Sequence, residues 1–275
     1  MSADPLPPPA PGAPRLRWFE RLDLPTVLAV LAVAAVIWAW PALRGPEGRE
    51  LDHLANLRRF LAGFLPPDWS VLPAIGDELI VTLRMAVMGT AIGFCVALPL
   101  GLAGARRIAP LPLVVAVRAL LAVLRTVPSI LWAVICVGVF GPTPLAGTVA
   151  LALYSISYLA KFAADACDSV DVATVAALRG NGASRVQALR HAFWPEIRPT
   201  LFSHGLWMLE YNIRSGAIIG FVGAGGVGTL ITAYLESAGG WHRIAAVLAV
   251  ILAIVLILDL VGDRLRAALL RQERG

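Results

Sequence analysis

The chain has 275 residues, of which 58% are hydrophobic and 15% charged, with a net charge of +5 and a mean hydropathy of +0.76. Soluble domains run nearer 45–50% apolar and about 25% charged, so one water-soluble core is excluded. The basic residues are almost all arginine, with Lys161 the lone lysine, and they fall between apolar runs. That placement sets membrane topology and does not mark a nucleic-acid surface.

The first 23 residues, rich in proline, read as a disordered N-terminus before the membrane, without a cleaved signal. Six apolar segments follow, at 24–43, 79–103, 111–140, 145–164, 201–222 and 244–261. Each is long enough to span, some with tilt. This predicts an all-α membrane protein with six transmembrane helices. The first helix occupies 24–43, an outer loop 44–78, a core of five helices 79–268 and a tail 269–275. Arg15, Arg17 and Arg21, then Arg106 and Arg107, then the cluster from Lys161 to Arg198, then Arg264 and Arg266 all fall on one side. By the positive-inside rule that side, with both termini, faces the cytoplasm.

Within the outer loop, Leu51, Leu54, Leu57, Leu61 and Phe64 recur at helical spacing before Pro66-Pro67. They predict an amphipathic helix, lying on the outer membrane surface or sealing the bundle. Cys95, Cys136 and Cys167 lie far apart in apolar runs and read as packing residues, without metal or disulfide spacing.

The connection 169–199 is too polar to span. Asp171 can cap a short helix through Ala176 and Arg179. Gly180 and Gly182 break it. Ser184 and Gln187 form a capping box that starts a second helix, which Pro195 is expected to stop. The result is a knob of two short helices.

ALRGNGASRVQALRHAFWP, residues 177–195, resembles the cytoplasmic loop of binding-protein-dependent ABC importer permeases. That family has Glu-Ala-Ala, three residues, Gly, nine residues, Ile, one residue, then Leu-Pro. Gly182, followed by Ala183 and Ser184, takes the Gly, and Pro195 falls at the proline. Ala176 stands in place of Glu, Leu178 of the second Ala, Ala192 of Ile and Trp194 of Leu. RFLAGFLPPDWSVLP, ELIVTLRMAVMGT, LRTVPSILWAV and NIRSGAIIGFVGAGGVG, in this order, extend the resemblance to phosphonate-type permeases over roughly residues 50 to 265. The resemblance implies a type I ABC importer permease bundle with a cytoplasmic coupling helix. It further implies a homodimer in the lipid bilayer, ABC ATPase subunits docked on the knob, and an extracytoplasmic solute-binding protein. The expected cargo is phosphonate, phosphite, hypophosphite or phosphate. Other small solutes, and an ion-coupled secondary transporter with Glu210 as its acid, are the alternatives.

Gly223-Ala-Gly225-Gly226-Val-Gly228 matches a dinucleotide fingerprint in letters. It has no βαβ setting and no acid near 20 residues downstream. We read it as a place where helices approach closely. No phosphate-binding loop with its lysine occurs. ATP and Mg are therefore expected on partner subunits, with no cofactor, metal or catalytic residue in this chain. The four histidines are scattered.

Charges inside spans are functional candidates by default. Glu210 and Arg214 are four apart and can pair, with Asn212 and Ser215 adding polarity. They read equally as a polar patch on the translocation path, with Arg214 attracting an oxyanion, or as an internal salt bridge. Arg125 lies in Arg-Thr-Val-Pro, where Pro128 can kink the span and Arg118 is near the same face. The element resembles one in permeases of different substrates, which implies a gate or packing role rather than substrate choice. Lys161 and Asp165 are expected to pair.

Overall fold

In the computed structural model of the protein, residues 24–43 and 52–271 are described. They are helices and turns, with no strand among them. The expectations for the N-terminal 23 residues and for Leu51 lie outside them. The chain divides into two compact units, residues 1–57 and 58–275.

The first unit contains α1, Leu24–Ala39, and a 3₁₀ turn, Trp40–Leu43. The helix stops short of the expected Leu43 because Pro41 brings no N–H to continue it. Its 16 residues rise about 24 Å at 1.5 Å each, somewhat less than the hydrocarbon core. None of them is buried. Next comes α2, His53–Ala62, whose first turn Asp52 caps through the Ala55 N–H at 2.9 Å.

The second unit holds the bundle. Asp68 caps a 3₁₀ turn, Trp69–Val71, that leads into α3, Leu72–Gly104. Hydrogen bonds from the Ser70 hydroxyl and amide hold the Asp68 carboxyl below its usual range, with Arg243 helping. After α3 come α4, Leu111–Thr126, and α5, Ser129–Phe140. Then follow α6, Pro144–Ser169, α7, Val172–Gly180, and α8, Arg185–Ala188. The last long elements are α9, Trp194–Ile219, α10, Gly228–Leu235, and α11, Gly240–Arg271.

The spine is the α3–α6 pair. A Cβ built on Gly89 would stand 2.8 Å from the Leu151 Cβ. At Gly93 and Gly101 it would overlap Ser155 and Ala163. Small residues every four positions thus let two backbones meet without side chains between them. The contacts advance in step, from Gly89–Leu151 to Gly101–Ala163, so α3 and α6 run parallel.

Two parallel helices need a return crossing, and α4 with α5 supplies it. The expected single span 111–140 is broken. The axes bend by 89° at Val127 and Pro128, both extended. Proline lacks the N–H for the next rung and pushes its predecessor out of the helical region. α9 then runs antiparallel to α3: its Gly205 meets Phe94 and its Gly216 meets Thr82. α11 returns beside it. The described chain of this unit therefore crosses the bundle five times. By length and composition alone, α3, α6 and α11 pass as spans, and the α4–α5 pair makes a fourth. α9 carries Glu210 and Arg214 and is the polar one.

Of the expected apolar face, Leu54, Leu57 and Leu61 stay exposed. Phe64 packs instead on Trp241 of α11, together with Phe60 from outside that face, with ring centres 5.3 and 5.1 Å from Trp241. Cys136 and Cys167 are buried as packing residues, while Cys95 is exposed.

Candidate functional site

Two regions gather the candidate residues. The first is the knob. The Asp171 carboxylate accepts from the Ala173 N–H at 2.9 Å and starts α7. Gly182, at φ +84, turns the chain through the left-handed region. The capping box closes reciprocally: the Ser184 N–H donates to Gln187 Oε1 at 2.8 Å, and the Gln187 N–H to Ser184 Oγ at 3.3 Å.

Beyond Gln187 the structure corrects the sequence. Pro195 does not stop the helix. α8 passes through a π-helical turn, Leu189–Phe193, straight into α9, where Pro195 is in the first turn. The Trp194 N–H reaches back to the Leu189 carbonyl, a five-residue step. That wider turn carries the chain over the rung Pro195 cannot make. The knob is thereby continuous with a bundle helix.

Its inner side is packed. Val175, Leu178 and Leu189 lie against a core of Ala105, Cys167, Val170, Ala192, Phe193 and Ile197. Its outer side presents Ala176, Arg179 and Gln187, with Ala183 half-buried. Between the knob and the 107–110 turn lies a cavity of about 520 Å³, flanked by Arg107 and Arg179 and floored by Ile108, Val175, Leu189 and Phe193.

The second region is the polar seam of the bundle. Asn212 is fully buried. Its amide donates to Thr90 Oγ1 at 2.8 Å and to Ser155 Oγ at 2.7 Å. One side chain of α9 therefore ties α3 and α6. Thr90 and Ser155 in turn donate to the Ala86 and Leu151 carbonyls. Asn212 Oδ1 has no hydrogen-bond partner among the described residues. The clamp was invisible in sequence beyond Asn212 itself, since Thr90 and Ser155 look like ordinary small residues of spans.

Arg214 forms a pair that its spacing does not suggest. It bridges to Asp259 of α11 at 3.1 Å, across helices. Beyond it lies a cavity lined almost wholly by apolar residues, including Ala217, Ile218, Leu248 and Ile251. Glu210 and Ser215 are buried in the same helix. Pro128 sits at the break of the third crossing. Arg125, one turn before it, donates Nε to the Leu121 carbonyl at 3.2 Å.

At the end of the bundle away from the knob, Gly223, Gly225 and Gly226 all have φ near +80. The turn they form lies against Pro142, Pro144 and Thr82. The Val227 N–H donates to Thr82 Oγ1 at 2.9 Å. The glycines let the backbone, rather than side chains, touch α3 and the α5–α6 corner.

The sequence matches the family described as binding-protein-dependent transport system inner membrane component over residues 97–274. It is 37% identical over 217 residues to a phosphite transport system permease protein of Stutzerimonas stutzeri, covering 78% of each chain. A putative phosphite transport system permease protein of the same organism is 32% identical, over 90% of this chain and 88% of that one. A phosphate-import permease protein of Mycolicibacterium smegmatis is 34% identical, over 74% of this chain and 39% of that one. Among solved structures, the inward-facing MetNI methionine ABC transporter superposes with a TM-score of 0.64, at 24% identity over 74% of this chain and 99% of that one. A likeness at that identity is one of fold. The chain belongs to the binding-protein-dependent transport system inner membrane component family. It is a multi-pass permease of an ABC importer with the type I fold.

Proposed function

We propose that this permease carries a phosphorus oxyanion, of the phosphite, phosphonate or phosphate type, across the inner membrane as one of two identical copies. The observation that carries the reading is the likeness to two phosphite permeases over 78% and 90% of the chain. ATP and Mg bind to separate ATPase subunits, and a solute-binding protein delivers the anion from outside. The knob end faces the cytoplasm, as do both termini. Arg106, Arg107, Arg179 and Arg190 cluster there, where the positive-inside rule puts them.

The mechanism is alternating access. The ATPases close on ATP and push on Ala176, Arg179 and the Gly182 turn. Because the π-turn joins α8 to α9 without a break, the push reaches α9 directly. α9 is clamped to α3 and α6 through Asn212, so the helices tilt together. The outer Gly223–Gly226 turn and the Pro128 break are the bendable points that open and shut the path. This chain performs no bond chemistry.

The test is assembly and ligand choice. Tagged permease, co-expressed with the ATPase and binding protein encoded beside it, should retain both ATPase copies on purification. The binding protein should be stabilised against heat by phosphite, phosphonate or phosphate. A permease that purifies without an ATPase, or a binding protein that responds only to an amino acid, defeats the proposal.

A further inference from the structure

Arg118, Leu121, Arg125, Lys161, Ala164 and Asp165 line one small cavity, of about 80 Å³, between α4 and α6. Arg118, Lys161 and Asp165 are 33%, 41% and 45% exposed, so the cavity opens on a face of the bundle. Charges at membrane-span positions are paired or functional. Arg118 is neutralised from outside the cavity. It donates to Asp168 at 2.7 Å and to the Gly104 carbonyl at 2.8 Å, with Asp165 3.8 Å away. Lys161 is bonded to Asp165. Arg125 differs. Its Nε is engaged by a carbonyl of its own helix. Its terminal guanidinium N–H groups have no acceptor among the described residues, and no carboxylate there pairs with it.

We infer that Arg125, with Lys161 and Arg118 behind it, is the inner binding site for the transported oxyanion. Charge and geometry both point there. Two carboxylates, Asp165 and Asp168, serve three cations, leaving one positive charge unneutralised, and it is on Arg125. An unpaired guanidinium at a cavity wall is a planar fork for a tetrahedral oxyanion. Arg118 and Arg125 are two turns apart on one face, about 10 Å along the axis. Arg118 is at the knob end, against the ends of α3 and α6. The pair thus forms a ladder leading from mid-bundle to the knob end, with Lys161 beside it. The cavity is far below the 300 Å³ or so at which drug-sized pockets begin. It suits a small inorganic or one-carbon oxyanion and excludes a bulky one.

The walls nearby support passage. Tyr211 stacks on Tyr154 at 4.7 Å, and its hydroxyl lies 3.3 Å from Ser129 Oγ, just past the Pro128 break. Movement at that break would shift Arg125 at the end of α4, so opening and anion contact would be linked. Arg214, the other candidate, is held by Asp259 beside an apolar cavity and has less to offer an anion.

This inference rests on the phosphorus-oxyanion reading above, and the test separates the two. The assembled transporter is placed in proteoliposomes with ATP on the ATPase side, and uptake of radiolabelled phosphite and phosphate is followed. Arg125→Gln should cut uptake about tenfold or more, the scale of a lost charged contact, and Arg125→Lys should restore much of it. An Arg125→Gln transporter within about twofold of the parent overturns the site. A second measurement uses the unmutated complex. Phenylglyoxal modification of Arg125, read by peptide mass spectrometry, should be slowed by phosphate or phosphite and not by chloride at equal ionic strength. Equal modification in all three salts overturns the site, even if the variants fail to assemble. If the parent transports none of these anions while protection by phosphate persists, the cargo assignment falls and the oxyanion site stands.

Discussion

Arg214 of α9 and Asp259 of α11 meet at 3.1 Å, 45 residues apart in sequence. The bridge joins the polar helix of the bundle to the long apolar helix α11, and it removes Arg214 from the set of free cations. The two side chains are 41% and 43% exposed, but they sit on membrane-span helices, where breaking one side leaves an unpartnered charge and costs more than losing the pair. Asp259→Asn should therefore lower the thermal stability of the detergent-solubilised permease more than Arg214→Met combined with Asp259→Leu. Equal losses for the single and double variants would mean that the bridge is solvated and idle.

Asn212→Leu removes the tie between α9 and the α3–α6 spine. Thr90 and Ser155 keep their own backbone acceptors, so no hydroxyl proton is stranded. Interhelical hydrogen bonds in membranes are worth about 0.6 kcal/mol on average and up to about 1.7. The expected loss in stability is about 1 kcal/mol, with uptake per ATP hydrolysed falling further because three helices no longer move together. Unfolding in graded denaturing detergent, beside a coupled transport assay, reads both numbers.

Gly226→Ala places a Cβ on Thr82 and on a backbone at φ +80. The left-handed conformation alone costs about 1–2 kcal/mol, and the hydrogen bond from the Val227 N–H to Thr82 Oγ1 is disturbed as well. Gly138→Ala is the contrast: that glycine is helical, and a Cβ there meets nothing within 4 Å in the isolated chain. Alanine should be neutral or stabilising by up to about 1 kcal/mol there. The melting temperature of Gly226→Ala should fall, while that of Gly138→Ala should hold or rise.

Ser184→Ala with Gln187→Ala opens both halves of the capping box. Loss of such a cap costs about 0.5–2 kcal/mol, felt locally in the knob and not in the bundle. The permease should still fold and insert, while its affinity for the ATPase subunits drops. Binding of purified ATPase to nanodiscs bearing the variant is the check.

Local chemistry makes the knob legible in the sequence. Asp171, Gly182, Ser184 and Gln187 act within four residues of themselves, and each does what its type and spacing suggest. Pro195 misled because the remedy for a missing N–H, the π-turn from Leu189, is set by packing of Ala192 and Phe193 against the bundle. Pro128 signalled a kink, but the size of the break follows from the need to return between two parallel helices. Partner choice between helices was beyond reach. Nothing in the spacing of Arg214 points to Asp259, and nothing in Thr90 or Ser155 announces Asn212. Spans look alike in hydropathy, and register between them is fixed by small-residue contacts that periodicity does not encode.

The central claim, that this chain passes the work of ATP hydrolysis to a phosphorus oxyanion, is tested most directly by uptake into proteoliposomes. The purified permease, its ATPase and its binding protein are combined, and labelled phosphite is supplied on the binding-protein side. Accumulation should require ATP on the knob side and should persist when proton and sodium gradients are collapsed. Uptake driven by an ion gradient without ATP, or ATP hydrolysis with no phosphite, phosphonate or phosphate moved, would contradict the account.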